Sequence, residues 1–247
     1  MDYFEKAYTS ACKFYNVEIL TDDFSIKGLK ECGYNCKSVT NEKFLYHDDF
    51  KVFLLENYKN LNILVDPDIV FYEKVNFSND DDLIVDRVYK SLTKDHTIPM
   101  INEFIDNGVQ ETYPDYTFIE TMPNIGFLKF NNIDLKLEYI KVYKKLKSWI
   151  INSNIKHNLN HSILLGQYPL QILCNKFNIT PTSLQDLQGE KYFHYDGERK
   201  YWINKKPKMP SSLLDFYSSE PVIFYWIIVK FISNFLRHNF RNWHFSA

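Results

Sequence analysis

The chain of 247 residues has no surplus of charge of either sign. Its 29 Lys and Arg stand against 31 Asp and Glu, a formal net charge of −2, and the few basic runs are interleaved with acids. No general field is left to attract nucleic acid, so nucleic acid is not expected as a partner. Cysteines are few, and Cys12, Cys32, Cys36 and Cys174 include no CxxC pair. Free thiols in a reducing compartment are expected over disulfides, and Cys32 and Cys36, which bracket Gly33 in a turn, read as small packing residues rather than zinc ligands. The start, Met1-Asp2-Tyr3-Phe4-Glu5-Lys6, lacks a basic region followed by an apolar run and a cleavage site, which gives cytoplasmic location as the expectation. His157 and His161 form H-x-x-x-H without the catalytic glutamate of a zinc protease, which sets that reading aside. There is no internal repeat and no low-complexity linker.

What the sequence does have is enough apolar material, 45% of residues against 24% charged, for one sizeable core. Its periodicity changes repeatedly. Tyr3 to Tyr15 is helical, Val17 to Leu20 strand-like, Ile26 to Cys32 helical, Cys36 to Val39 strand-like, Phe50 to Tyr58 helical, and Leu61 to Val65 an apolar strand. Alternation of this kind with short connections predicts an α/β fold with a mostly parallel sheet and helices on both faces. The run Leu61-Asn62-Ile63-Leu64-Val65 lacks strict alternation, as a central strand buried on both faces would.

That strand ends in Asp66-Pro67-Asp68, a charged turn at the carboxyl edge of a sheet, where open α/β folds bind ligands. Asp-Pro is also a common turn, and taken alone the segment reads either way. Residues 76–115 form a polar excursion with helical patterns at Asp86 to Leu92 and Met100 to Asp106, and Asn79-Asp80-Asp81-Asp82 there reads as a solvated loop or a helix N-cap. Pro123 to Asn132 is a strand entered through Asn124-Ile125-Gly126, where the glycine lets backbone come close to a ligand. Amphipathic helices follow over Leu135 to Ile150 and His161 to Phe177, and the chain then passes Tyr192-Phe193-His194 into Tyr195-Asp196-Gly197-Glu198-Arg199-Lys200-Tyr201-Trp202.

The order of these segments over residues 5–202 resembles the glycosyltransferase family that includes glycogenin and the bacterial lipopolysaccharide galactosyltransferases, which has the GT-A fold. Phe50 to Phe71 is similar to its lysine-bearing helix, buried strand and DxD turn. Pro123 to Asn131 is similar to its Asn-x-Gly strand, and His194 to Trp202 resembles its His-x-x-Gly-x-x-Lys-Pro-Trp loop, with Tyr201 in place of the proline. The resemblance implies a Rossmann-like GT-A domain over 1–204 that moves a hexose, with retention, from a nucleotide diphosphate sugar, a UDP-sugar in the family's pattern, to a glycan, lipid-linked or protein hydroxyl. It implies Mn²⁺ or Mg²⁺ on Asp66, Asp68 and His194. Lys51, Asn124, Gly126, Gly197, Lys200 and Trp202 would hold the donor, and His161 and Gln167 would face the sugar. Carboxylate and imidazole suit such an ion, and the departing diphosphate needs its charge neutralised.

One departure is structural: the family opens on a strand before its first helix, and no strand precedes Tyr3. Val17 to Leu20 takes that place, or the base pocket is incomplete, or a partner chain supplies the edge. A decayed GT-A protein with a binding or structural role is therefore the alternative. Beyond the basic link Lys205 to Pro210, residues 205–247 form a helical extension. The apolar part of Pro221 to Leu236 is broken at Lys230, short of the roughly twenty residues that span a bilayer. A helix over 221–243 with Trp226, Trp243, Arg237 and Arg241 fits either a membrane interface, as a peripheral enzyme or a membrane-docked interaction module, or a contact within a homo-oligomer.

Overall fold

The computed structural model describes residues 3–23, 25–41, 44–46, 48–58, 61, 63–89, 97–114, 121–153 and 159–194. Along the chain run α1 (Tyr3–Cys12), β1 (Ile19–Asp22), α2 (Ile26–Glu31), β2 (Cys36–Thr40), α3 (Asp49–Asn57), β3 (Ile63–Val65), β4 (Ile69–Phe71), β5 (Leu83–Tyr89), α4 (Thr97–Asp106), α5 (Val109–Thr112), β6 (Met122–Phe130), α6 (Ile133–Asn152), α7 (Leu159–Phe177), β7 (Thr182–Ser183), α8 (Leu184–Gln188) and β8 (Tyr192–His194). The chain is mixed α/β and divides into two compact units, one of residues 1–43, 67–74 and 192–247, the other of residues 44–66 and 75–191.

In the first unit β1 and β2 pair in parallel, Ile19 opposite Cys36, through the crossover helix α2. That helix stops at Gly33, whose φ of +82° is a conformation that costs a residue with a Cβ about 1–2 kcal/mol. The amide of Gly33 donates to Lys30 O and that of Tyr34 to Leu29 O, a Schellman stop that satisfies the last carbonyls. Ile19 and Leu29 form a small core with Tyr8, Tyr34 and Cys36 packed against it. The other pair, β4 and β8, is antiparallel, Ile69 opposite His194 and Phe71 opposite Tyr192. Helix α1 fastens to β4 through Ser10, whose hydroxyl accepts from the Phe71 amide at 2.9 Å and donates to Ala7 O at 2.8 Å. All four cysteines are free.

In the second unit the strand order is β3-β6-β5-β7. Strand β6 is antiparallel to both neighbours, and β5 runs parallel to β7. All nine residues of β6 are buried, so it is this strand that has the two covered faces expected of Leu61 to Val65. Among the described residues strand β3 pairs with β6 alone, and Val65 is 42% exposed. The expected mostly parallel sheet is thus a mixed one among the described residues. Asp86 to Leu92, read as helical, begins inside strand β5. Ile84, Val85 and Val88 are β-branched and meet β6 residue by residue, and that pairing outweighs the weak local helical period.

Helix α6 buries Leu135, Tyr139, Tyr143, Leu146 and Ile150, a stripe at helical spacing that packs on α7 and α3, while α7 also covers β6. Asn132 starts α6, its side-chain oxygen accepting from the amides of Asp134 and Leu135, a cap typically worth about 1 kcal/mol. The expected helices Leu135 to Ile150 and His161 to Phe177 correspond to α6 and α7. Asn79 to Asp82 lies in a loop that Lys129 and Asn131 hold from β6, with Lys129 Nζ donating to Ser78 O and Asn79 Oδ1.

Tyr143 Oη donates to Asp49 Oδ1 at 2.9 Å inside this helical layer. Burial, then the nearby Asp49 and Asp48 carboxylates, push its pKa well above the ordinary tyrosine value, and Tyr46 is pushed to about 12 by burial and Asp49. A folded-state pKa raised above the unfolded value stabilises fully below the unfolded value, and that contribution is lost as pH rises from there through the folded value. Stability is therefore expected to hold from neutral pH to about 10 and to fall steeply above it. In Tyr143→Phe the alkaline fall becomes shallower, read as urea midpoints against pH.

Candidate metal and donor site

The turn Asp66-Pro67-Asp68 leaves β3 and enters β4. In the second unit it is anchored through β6. Where β5 meets β6, Val85 lies opposite Leu128 and Arg87 opposite Asn124, so Ile125, Gly126 and Phe127 together oppose Asp86: a bulge built on the Asn-x-Gly segment. Asn124 Oδ1 accepts from the Gly126 amide at 2.8 Å, and Asn124 Nδ2 donates to Tyr89 Oη at 3.0 Å. The bulge presents two carbonyls. Gly126 O accepts from the Asp66 amide at 2.8 Å, and Ile125 O accepts from Lys51 Nζ at 3.3 Å.

Lys51 is 4% exposed in α3. Its Nζ lies 2.6 Å from Asp66 Oδ1 and 3.5 Å from Asp48 Oδ1. Burial pulls the pKa of this amine down, but Asp66 and Asp48 outweigh it and the net shift is upward, so the lysine is charged at neutral pH. Asp48, just ahead of α3, is 2% exposed. Gly166 of α7 makes room for it, because a Cβ there would overlap Asp48 Oδ2 and stand 2.9 Å from Ile125 Cδ1.

In the first unit, pairing of β4 with β8 brings together two of the expected ligands. Asp68 immediately precedes β4, His194 ends β8 opposite Ile69, and His194 Nε2 lies 3.4 Å from Asp68 Oδ1. The histidine is 4% exposed and the aspartate side chain 24%, so the pair has a buried and an open side. A distance of 3.4 Å is long for a charged hydrogen bond. It is close to the spacing of about 3 Å that two neighbouring ligands of an octahedral ion take with bonds of about 2.1 Å. Asp66 is tied to this pair by the chain, since two peptide units span at most about 7 Å. Asp68 and His194 offer a carboxylate oxygen and an imidazole nitrogen, donors that fit Mn²⁺ or Mg²⁺.

Of the other expected site residues, Asn124 and Gly126 shape the bulge and Lys51 is engaged with Asp66 and Asp48. Gln167 is buried in α7 beside Gly166. His161 belongs to α7, with its side chain outside the described set, and Gly197, Lys200 and Trp202 lie outside the described residues, as does the whole of 205–247. Sequence reasoning missed Asp48. Its signal was the pair Asp48-Asp49 at the head of the lysine-bearing helix: an acid there ordinarily caps, but the Asp48 side chain makes no cap hydrogen bond and Asp49 accepts from the amides of Leu45 and Tyr46.

Comparison with family models, with curated proteins and with solved structures finds no match. No helix of the described residues is long and apolar enough to cross a membrane.

Proposed function

We propose that the protein is a metal-dependent glycosyltransferase of GT-A type that moves a hexose from a nucleotide diphosphate sugar to a hydroxyl of a glycan, lipid-linked or protein acceptor. The observation that carries this reading is the Asp68–His194 pair, set at ligand spacing by the β4–β8 register and joined by one proline to Asp66. Residues this distant in sequence need not have met. Mn²⁺ or Mg²⁺ supplies neutralisation of the leaving diphosphate. Within the chain, Asp66, Asp68 and His194 would hold the ion, and the bulge at Ile125 and Gly126 would fix Asp66 by its backbone amide. Lys200 and the Gly197 backbone would receive the diphosphate, Trp202 would wall the pocket, and Gln167 with His161 would face the sugar. The segment 221–243 would rest on a membrane surface or on a second copy of the chain.

A second reading has its own support. The Lys51–Asp66 ion pair at 2.6 Å gives Asp66 a cation without any metal, as suits a GT-A-derived binding or structural protein. Calorimetric titration of UDP and GDP with and without Mn²⁺, into the protein and an Asp66→Ala/Asp68→Ala variant, separates the two. Mn²⁺-dependent nucleotide binding that the variant lacks is expected. Binding that ignores Mn²⁺, or none at all, favours the non-catalytic reading.

A further inference from the structure

We infer that Lys51 is the resident counter-cation of Asp66, shared with Asp48, so that capture of a divalent ion at Asp66 is governed by release of Lys51 onto Asp48. This rests on the metal reading above. Three oxygens surround the Lys51 ammonium: Ile125 O accepts from Nζ at 3.3 Å, and Asp66 Oδ1 at 2.6 Å and Asp48 Oδ1 at 3.5 Å are its ion-pair partners. With its charge so paired and the side chain 6% exposed, Lys51 is placed to act on Asp66 and not on a phosphate. It is a positioning residue.

The asymmetry of the two carboxylates gives the device its direction. The short contact is to Asp66, the candidate ligand, and the long one is to Asp48, which is buried and has no place in the metal set. A dication at Asp66 repels the neighbouring ammonium and competes with it for the same carboxylate. Shortening the Asp48 contact lets the ammonium keep a buried counter-charge while Asp66 turns to the ion. Asp48 is itself fixed: Gly166 supplies the space behind it, and the first turn of α3 sets Asp48 and Lys51 three residues apart on one helix face.

The two partners therefore act on metal affinity with opposite signs. Removing the amine in Lys51→Met abolishes the competitor and the repulsion. Removing the charge of the acceptor in Asp48→Asn strands Lys51 on Asp66. Mn²⁺ titration followed by calorimetry, with circular dichroism to verify folding, is expected to show binding at least about tenfold tighter in Lys51→Met and about tenfold weaker in Asp48→Asn, each a change of about 1.4 kcal/mol. Without metal, Lys51→Met should melt below the wild type, because the buried Asp48 and the part-buried Asp66 lose their cation, and Mn²⁺ should raise its melting temperature by more than it raises the wild type's.

Tight Mn²⁺ binding in Lys51→Met by a chain whose wild type binds weakly supports the inference. Wild-type binding that Lys51→Met leaves unchanged or weakens overturns it while the metal reading stands, and so does Asp48→Asn binding as tightly as wild type, a measurement that remains should Lys51→Met not fold. Absence of Mn²⁺ binding in wild type and both variants overturns the metal reading and the inference with it.

Discussion

Gly166→Ala is expected to destabilise the protein by about 3 kcal/mol or more, whereas Gly28→Ala should stabilise it by about 0.5–1 kcal/mol. Both glycines lie inside helices, Gly28 in α2 and Gly166 in α7, where alanine is the better helix former. The surroundings reverse the sign at one of them. A Cβ on Gly28 meets nothing within 4 Å, while a Cβ on Gly166 overlaps Asp48 Oδ2, stands 2.5 Å from Asp48 Cγ and 2.9 Å from Ile125 Cδ1. Ile125 can shift its terminal methyl cheaply. Asp48 cannot, being buried and ion-paired with Lys51, so its displacement leaves a buried ammonium with one carboxylate fewer. Overpacking of about 1–3 kcal/mol adds to the larger cost of disturbing a buried charge, and the gain in helix propensity is too small to offset them. Urea midpoints for the two variants check this. A Gly166→Ala protein as stable as wild type would mean that Asp48 has somewhere else to go.

The same residues mark what could be read from the sequence. The succession from α1 to β3 was legible because each element is local: a helical stripe, a short apolar run, a turn residue such as Gly33 at the end of α2. The turn Asp66-Pro67-Asp68, the Asn124-Ile125-Gly126 strand and His194 could be singled out because their residue types are unusual together. The pairing partners could not. Leu83 to Tyr89 is a strand because β6 lies beside it, and the local window around Asp86 carries no trace of that. Leu61 to Val65 is apolar enough for a central strand, yet its place was decided by β6, which is longer and takes both neighbours. Gly126 was expected to admit a ligand to the backbone. In the fold its carbonyl accepts from the Asp66 amide, a contact between residues 60 positions apart in number that the bulge geometry makes. Lys51 could be singled out on the helix before that turn, but its ion pairs with Asp66 and Asp48 could not, because an acid before a helix ordinarily reads as a cap.

If the protein is the metal-dependent transferase proposed above, removing the imidazole in His194→Ala is expected to weaken Mn²⁺ binding by about 10–100-fold or more and to lower hexose transfer by about 10²–10³-fold, while leaving the protein folded. The fold should survive because the β4–β8 pairing at this point is made by backbone, Ile69 opposite residue 194, and alanine keeps it. The loss of a buried ring leaves a small cavity on a strand of three residues, a cost of the same order as other large-to-small changes. Asp68→Asn removes the other half of the pair by charge and not by volume, so it isolates electrostatics from packing. If Asp68 and His194 act on one ion, the double variant Asp68→Asn/His194→Ala should lose little more activity than the worse single variant, because each single change already disables the shared site. Losses that multiply would show that the two side chains work at separate steps. Unchanged Mn²⁺ affinity in both single variants would reduce the 3.4 Å contact to an ion pair that ties β8 to the start of β4, and would leave Asp66 without the partners that a metal site requires.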